Sequence, residues 1–163
     1  KFLFLEPFFG GSHKDFAQGL VSHSRHRIDL ITLPARVWKW RMRGAALYFI
    51  KRIPSLKAYD GLITTDLMSL SDLTSLWRSS PLPSLVYFHE NQLTYPLAPG
   101  ERMDYQFGFT DITTALASDR VIRRSLISSS LSFCSRGFNT RNRASGNANI
   151  AMASVMKPKP DCR

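Results

Sequence analysis

The chain has 163 residues, of which 44% are hydrophobic and 21% charged, so it fits one globular domain and is neither disordered nor collagen-like. Its net charge of +10 is uneven, because residues 1–119 hold 13 Lys and Arg against 11 Asp and Glu, whereas residues 120–163 hold 9 against 1. Both cysteines lie in the second part, and the chain has neither a membrane-length apolar run nor a signal-peptide pattern. We therefore expect a cytoplasmic protein without a disulfide framework, a zinc cluster or a membrane contact.

Strand and helix signals alternate along the first 119 residues. Apolar runs predict buried strands at 2–5, 27–33, 60–65, 84–89 and 119–122. Periodic patterns predict helices at 12–24, 38–53, from 69 onward and at 105–117. Pro7 and Pro34 are expected to end the first two strands, and Ser12 and Ser69, each followed by Asp three residues later, are expected to cap helices. This βαβα order with apolar strands predicts an α/β fold with a parallel sheet covered by helices on both faces.

The composition changes abruptly after Ile122. Residues 123–163 form a basic Ser/Arg-rich tail without a sustained period, so we expect one domain over residues 1–122 followed by a disordered segment. One interpretation of this tail is a nucleic-acid-binding arm. The other is a shifted reading frame or a misassigned exon. This second interpretation is favoured because the change falls inside a predicted strand, where the charge balance is lost and the cysteines begin to appear.

The first polar cluster, Gly10-Gly11-Ser12-His13, follows the first predicted strand. Ligands of a doubly wound sheet bind at the carboxyl ends of its strands. Paired glycines let the backbone approach a phosphate closely, and the start of a helix offers free N–H groups to it. The spacing matches neither the G-x-G-x-x-G fingerprint nor the P-loop. A tight turn with Ser12 as the helix N-cap is the alternative interpretation.

The second polar cluster, His89-Glu90-Asn91-Gln92, directly follows the fourth predicted strand. Four consecutive polar residues in this place are costly to bury and are well placed to face a ligand. His89 can transfer protons near neutral pH, and Glu90 is a candidate base or ribose acceptor. The alternative is a loop whose side chains cap the next segment. Neither cluster has the Ser/His/Asp order of a hydrolase. The chain has no H-E-x-x-H zinc pair, and we expect no metal.

A third candidate is the aromatic and basic segment from Trp38 to Arg43. Aromatic side chains interleaved with basic ones can stack on bases and neutralise phosphates. Helical spacing puts Arg36, Lys39 and Arg43 on one side, with Trp40 beside them. In the alternative interpretation the segment is an amphipathic helix, with Trp38 in the core and a solvated basic face.

Three segments taken together are more specific than any one of them. They are Leu5-Glu6-Pro7-Phe8-Phe9-Gly10-Gly11-Ser12-His13, Leu33-Pro34-Ala35-Arg36-Val37-Trp38-Lys39-Trp40-Arg41 and Tyr87-Phe88-His89-Glu90-Asn91-Gln92-Leu93-Thr94-Tyr95-Pro96, in this order. The set resembles the N-terminal domain of the tRNA-queuosine α-mannosyltransferase family, the glycosyltransferase-like domain-containing family, over residues 1–122. Asp104-Tyr105-Gln106-Phe107-Gly108 also resembles a segment of this family.

The resemblance implies a GT-B-type glycosyltransferase of two facing Rossmann-like domains, of which this chain would hold the N-terminal one. It also implies transfer of mannose from GDP-mannose to the cyclopentenediol of queuosine in a tRNA anticodon. The tRNA and the nucleotide sugar would then be the partners of the protein. No cofactor, metal ion or obligate protein partner is expected beside them.

The resemblance further implies residue roles. His89 and Glu90 are the catalytic candidates, with His89 similar to a histidine placed near the donor sugar. The donor-binding candidates are Gly10, Gly11, Ser12, His13, Asn91 and Gln92. The acceptor-binding candidates, which follow from the aromatic and basic pattern, are Arg36, Trp40 and Arg41.

Most of the nucleotide-sugar site of such enzymes lies in the C-terminal domain. We therefore expect the 163-residue chain to have no measurable transferase activity by itself, because half of a cleft does not exclude water from the reacting centre. Two other hypotheses stay open. The first is a non-catalytic RNA-binding Rossmann-like module with a basic tail, which predicts tRNA affinity that falls steeply with salt. The second is an unrelated sugar-nucleotide binder of the same fold.

Overall fold

A computed structural model of the protein describes residues 1–77 and 82–123. Strands and helices alternate through these residues. They are β1 (Phe2–Phe9), α1 (Gly11–His23), β2 (Ile28–Pro34), α2 (Trp38–Arg52), β3 (Gly61–Thr65), α3 (Leu70–Leu76), β4 (Ser84–Phe88), α4 (Tyr105–Ala117) and β5 (Arg120–Arg123). The five strands form one parallel sheet in the order β2-β1-β3-β4-β5. The predicted α/β fold with a parallel sheet is confirmed.

Helices cover both faces of this sheet. On one face α2, α3 and α4 pack against one another, and Leu3 and Leu5 of β1 enter a core with Phe49 of α2. On the other face α1 packs on β1 and β2, where the ring of Phe4 meets the ring of Phe16 edge to face. Successive residues of β1 therefore point into two different cores, as the strand period of two requires.

The start of the chain differs from the prediction at two residues. Pro7 does not end β1, which continues to Phe9 through a register shift against β2 between Glu6 and Phe9. A proline is tolerated there because the ladder is interrupted at the residue that has no N–H to donate. Ser12 is not the N-cap of α1, since the helix begins at Gly11 and the extended Gly10 precedes it without a side-chain cap.

Other local predictions are confirmed. The Ser69 hydroxyl accepts a hydrogen bond from the backbone N–H of Asp72 at 3.1 Å and caps α3. Helix α4 has the predicted bounds, and α2 begins at Trp38 as expected. The predicted domain boundary falls within β5, and residues 124–163 of the predicted tail lie outside the described residues.

The strand order places a crevice at one edge of the sheet. β1 has β2 on one side and β3 on the other, so the connections that follow β1 and β3 leave the sheet on opposite faces. Ligands of open α/β sheets bind outside the carboxyl ends of the strands at such a point. The loops after β1, β3 and β4 all emerge at this edge.

Candidate active site

The two polar clusters predicted from the sequence meet at the carboxyl edge of the sheet. The imidazole of His13, in the first turn of α1, stacks on the imidazole of His89, which directly follows β4. Their ring centroids are 3.8 Å apart and their planes differ by 28°. His13 is buried and His89 is half-buried. Two segments separated by 76 positions in the sequence numbering thus form one pair of rings.

A buried carboxylate holds His13 from the side of the sheet. Glu6 has no exposed surface, and its Oε1 accepts hydrogen bonds from the Phe8 N–H at 2.9 Å and the Thr65 hydroxyl at 3.1 Å. His13 Nδ1 lies 3.2 Å from the same oxygen. Because a carboxylate only accepts, we assign a proton to Nδ1 of His13. Within the described residues, Oε2 of Glu6 has no hydrogen-bond partner.

These contacts change the proton affinity of His13. Burial lowers the pKa of this imidazole, whereas the hydrogen bond to Glu6 and the negative charges of Glu6, Asp66 and Glu90 raise it. The net direction is upward. The carboxylates around His13 together outweigh its burial and shift the ring toward the protonated form.

Two further buried carboxyl groups hold the backbone of the His89–Gln92 loop. Asp66, directly after β3, accepts hydrogen bonds from the N–H groups of His89 at 3.4 Å and Glu90 at 3.2 Å. Asp111 of α4 accepts one from the Gln92 N–H at 2.7 Å. Burial raises the pKa of each aspartic acid to about 7. The loop is thus fixed by groups that change charge near neutral pH.

The side chains of this loop differ in whether they face solvent or bond to the loop itself. Glu90 is exposed at the surface, yet burial of its carboxyl group still raises the pKa of that group. Asn91 is turned back onto its own loop, where its Oδ1 accepts from the N–H groups of Leu93 at 3.1 Å and Thr94 at 3.0 Å. The capping interpretation therefore describes Asn91, while the donor-binding roles of Asn91 and Gln92 stay predictions.

The glycine pair has a steric reason in the fold itself. A Cβ on Gly10 would lie 2.4 Å from the Cβ of Ala35, so only glycine fits where β1 turns into α1 against the end of β2. Gly11 has a φ of +50°, a left-handed conformation that glycine adopts without strain, and nothing lies within 4 Å of its Cβ position. Gly11 and the exposed Ser12 leave the backbone open at this point.

One set of side chains has the composition of a metal site. Ligand atoms of Glu6, His13 and His89 lie within 4.8 Å of one another. However, Glu6 already accepts two hydrogen bonds on the oxygen that faces His13, and the two rings stack in nearly parallel planes. Because imidazole lone pairs lie in the ring plane, one ion could reach both rings only after one of them turned.

Rings connect this site to the apolar core on the α1 face. His89 makes an edge contact with Tyr87, at 4.7 Å between centroids, and Tyr87 stacks on Phe16 at 3.9 Å. His13 meets Phe8 edge to face at 5.9 Å. We call Phe4, Phe8, His13, Phe16, Tyr87 and His89 the ring column. Its members come from β1, α1 and β4, so three elements set the orientation of the two histidines.

Two acceptor-binding candidates, Trp40 and Arg41, lie in the first turn of α2. Arg36 precedes the helix, separated from it by the left-handed Val37, so the predicted helical face of Arg36, Lys39 and Arg43 is wrong for Arg36. Trp40 is 74% exposed and Arg36 is exposed, as contact with a large ligand requires. Arg41 is half-buried, and its Nη2 donates to the carbonyl of Pro34 at 3.2 Å. Trp38 packs against the buried Met42, as the amphipathic interpretation predicted. The structure therefore separates an outward Trp40 from an inward Trp38.

Sequence reasoning missed three acidic residues of the site. Glu6 lies inside the buried strand β1, where an acidic residue is unusual, and that position is a signal that the sequence does display. Asp66 directly follows a predicted strand and could have been found by the same rule that selected His89. Asp111 lies in the middle of α4, where no local pattern distinguishes it from a solvated polar residue.

Comparison with known proteins decides the family. Residues 1–144 match the family described as tRNA-queuosine alpha-mannosyltransferase N-terminal. The chain belongs to this family. The resemblance drawn from the three sequence segments is therefore confirmed, and the family match extends beyond Ile122.

A curated relative supports the same assignment to the mannosyltransferase N-terminal family. The tRNA-queuosine alpha-mannosyltransferase of Drosophila melanogaster is 39% identical over 122 residues. This alignment covers 74% of the chain and 32% of the relative, so the chain spans about a third of the relative's length. No solved structure matches the chain. None of the helices within residues 1–77 and 82–123 is long and apolar enough to cross a membrane.

Proposed function

We propose that the chain forms the N-terminal part of a cytoplasmic enzyme that transfers mannose from GDP-mannose to queuosine in tRNA. The observation that carries this proposal is the pair of stacked histidines at the carboxyl edge of the sheet, held by Glu6 and by the Asp66-anchored loop. Family membership and the name of the Drosophila melanogaster relative supply the reaction class.

The proposed donor side of the cleft is formed by the two turns that bring His13 and His89 together. Gly10, Gly11 and Ser12 open the backbone at the start of α1, where the first N–H groups of the helix have no intrahelical carbonyl partner and suit phosphate oxygens. His13 adds a ring whose pKa is raised by the surrounding carboxylates. Asn91 and Gln92 shape the opposite wall of the cleft.

His89 and Glu90 are the proposed catalytic pair. The hydrogen bonds from both backbone N–H groups to Asp66 fix the point at which the chain leaves β4. His89 would orient the hydroxyl groups of the donor sugar, because an imidazole both donates and accepts hydrogen bonds. Glu90 would accept a proton, since its raised pKa brings the carboxylate closer to the basicity that a general base needs.

The reaction requires a second domain in this proposal. The GT-B arrangement closes the cleft with a C-terminal domain, and the chain spans 32% of the length of its relative. We therefore expect no transfer by the 163-residue chain alone. In a chimera, residues 1–122 replace the matching segment of the Drosophila melanogaster protein and supply one half of the cleft.

The experiment measures incorporation of radioactive mannose from GDP-mannose into queuosine-containing tRNA. We expect transfer by the chimera, and little transfer by its His89→Ala and Glu90→Gln variants. A Tyr95→Phe variant, altered in the exposed part of the same loop, serves as the matched control and should stay active. A folded chimera without activity beside an active relative would contradict the proposal, as would transfer by the isolated chain.

A non-catalytic RNA-binding module is the second candidate function. Residues 120–163 hold nine Lys and Arg against one Asp or Glu, and this basic tail is the feature that favours such a module. This hypothesis predicts tRNA binding by the whole chain that falls with salt and is lost when residues 123–163 are removed. Transfer by the chimera would decide against a purely non-catalytic role.

A further inference from the structure

The exposed side chains of α2 and α4 form one surface of aromatic and basic groups. Trp40 is 74% exposed, and Tyr105 and Phe109 are each 64% exposed. Arg43 of α2 donates a hydrogen bond to Gln106 of α4 at 2.8 Å and so joins the two helices. We call Trp40, Arg43, Tyr105, Gln106 and Phe109 the α2–α4 surface.

We propose that the α2–α4 surface binds unpaired bases of the RNA acceptor by stacking. This inference rests on the proposed function, which makes an RNA the acceptor, and it extends the contact from the start of α2 to α4. Helical spacing supports a continuous platform. Arg43 is three residues from Trp40, and Phe109 is three residues from Gln106, so each helix presents its aromatic residue beside the Arg43–Gln106 bridge.

The charge of the region selects a polyanion as the occupant. Seven Lys and Arg and no Asp or Glu lie between Asp29 and Asp60, a segment that includes the whole of α2. None of these seven forms an ion pair with a carboxylate of the described residues. Neutralising this charge with phosphates would release counterions, which drives nucleic-acid binding.

The aromatic groups select unpaired bases over a duplex. The charged ends of Lys39 and Arg43 each lie 5.7 Å from the centre of the Phe107 ring, so cations and rings are already interleaved. Exposed rings stack on bases of any sequence. A paired base offers no free face, because its neighbours in the helix cover it.

A groove beside the bridge has the chemistry that a nucleoside needs. It has a volume of about 430 Å³, and its walls include Arg43, Gln106, Phe109, Ser69 and Asp72. Phe109 offers a ring plane, Gln106 offers an amide and Arg43 offers a positive charge, whereas Asp72 adds a negative charge that opposes it. A base placed on Phe109 would leave its phosphate near Arg43.

The location of the surface agrees with an acceptor that also reaches the histidine pair. Helix α2 begins after β2 and α4 follows β4, so both helices begin at the carboxyl edge of the sheet where His13 and His89 meet. Trp40 and Tyr105 lie in the first turns of their helices. An RNA strand on this surface would therefore lie at the same edge as the proposed cleft.

The test is fluorescence anisotropy of the 163-residue chain with an unmodified tRNA transcript. Trp40→Ala and Phe109→Ala should each weaken binding about tenfold, while Trp40→Phe and Phe109→Tyr, which keep a ring, should restore most of it. Arg43→Ala should reduce the slope of the logarithm of the binding constant against the logarithm of salt concentration by about one, because one phosphate contact is lost. Arg52→Ala, which removes the same charge at the other end of α2, is the matched control. An RNA duplex should compete less well than a single strand.

Several results would overturn the inference. They are an absence of RNA binding by the chain, unchanged binding by both alanine variants, or equal losses in the ring-keeping variants. Light scattering tests whether a second copy of the chain occupies the surface instead. A dimer that dissociates in the Phe109→Ala variant would assign the surface to self-association. The transcript carries no queuosine and no donor is added, so this test is independent of catalysis. If the chimera transfers mannose while the alanine variants bind RNA normally, the RNA-binding role of the α2–α4 surface is refuted and the proposed transferase function is retained.

Discussion

Replacing the buried Asp111 with asparagine should remove part of the pH dependence of stability. The Asp111 carboxyl group has a pKa of about 7 in the folded protein against an ordinary value of 3.8, because burial disfavours its charged form. Between these values the folded state binds a proton that the unfolded state has lost, so stability falls as the pH rises through this range. The interval from pH 5 to the folded pKa is about two pH units, and over it the unfolding free energy falls by about 3 kcal/mol. Most of this loss is complete by pH 8.

The assay is urea unfolding of the wild type and Asp111→Asn at pH 5 and pH 8. Asparagine keeps an oxygen that can accept from the Gln92 N–H, which lies 2.7 Å from the native carboxylate. We expect the difference in unfolding free energy between variant and wild type to shift by about 3 kcal/mol in favour of the variant from pH 5 to pH 8. Asp119→Asn is the control, since this exposed carboxylate also accepts a backbone N–H, from Ser84 at 2.8 Å. The same pH shift in both variants, or none in Asp111→Asn, would refute the reasoning.

Three further predictions concern local contacts. Gly10→Ala should lower the unfolding free energy by about 1–3 kcal/mol in urea titrations, because the new Cβ would lie 2.4 Å from a neighbouring Cβ. Gly19→Ala, inside the helix that follows Gly10, meets nothing within 4 Å and should be neutral or slightly stabilising; similar losses for both glycines would contradict this. Ser69→Ala should cost about 1 kcal/mol by removing the cap of α3, and Ser69→Thr, which keeps the hydroxyl, should recover most of it in thermal melts. Glu6→Gln should lower the pKa of His13 in an NMR titration, since the Glu6 contact raises it; an unchanged titration would show that the contact does not set the charge.

The fold could be predicted largely because each element carries its own periodic signal. Helix α4 has the predicted bounds, since its apolar positions repeat at helical spacing and Asp104 accepts from the N–H of Gln106 at its start. The start of α1 could not be predicted in the same way. The capping pattern at Ser12 is a local signal, whereas the observed start depends on Gly10 fitting against Ala35 of a distant turn.

The site could be predicted only where polar residues cluster along the sequence. His13 and His89 each belong to a run of polar or small residues at a strand end, which a single sequence displays. The carboxyl groups that hold them come from other elements and act through burial, as Asp111 does from inside α4. Burial of one acidic residue follows from the packing of the whole domain, so no local pattern predicts it.

The ring column makes the site and the hydrophobic core one mechanical unit. Its flat side chains are in contact, so a change in the tilt of the His89 ring presses on both Tyr87 and Phe16. A ligand that turns His89 would therefore act on α1, because His13 and Phe16 of that helix both contact the His89 ring. Conversely, a methyl group added or removed near Phe16 would change the orientation of the histidine rings in the free protein. The proton chemistry at this edge is tuned through apolar packing as well as through charge.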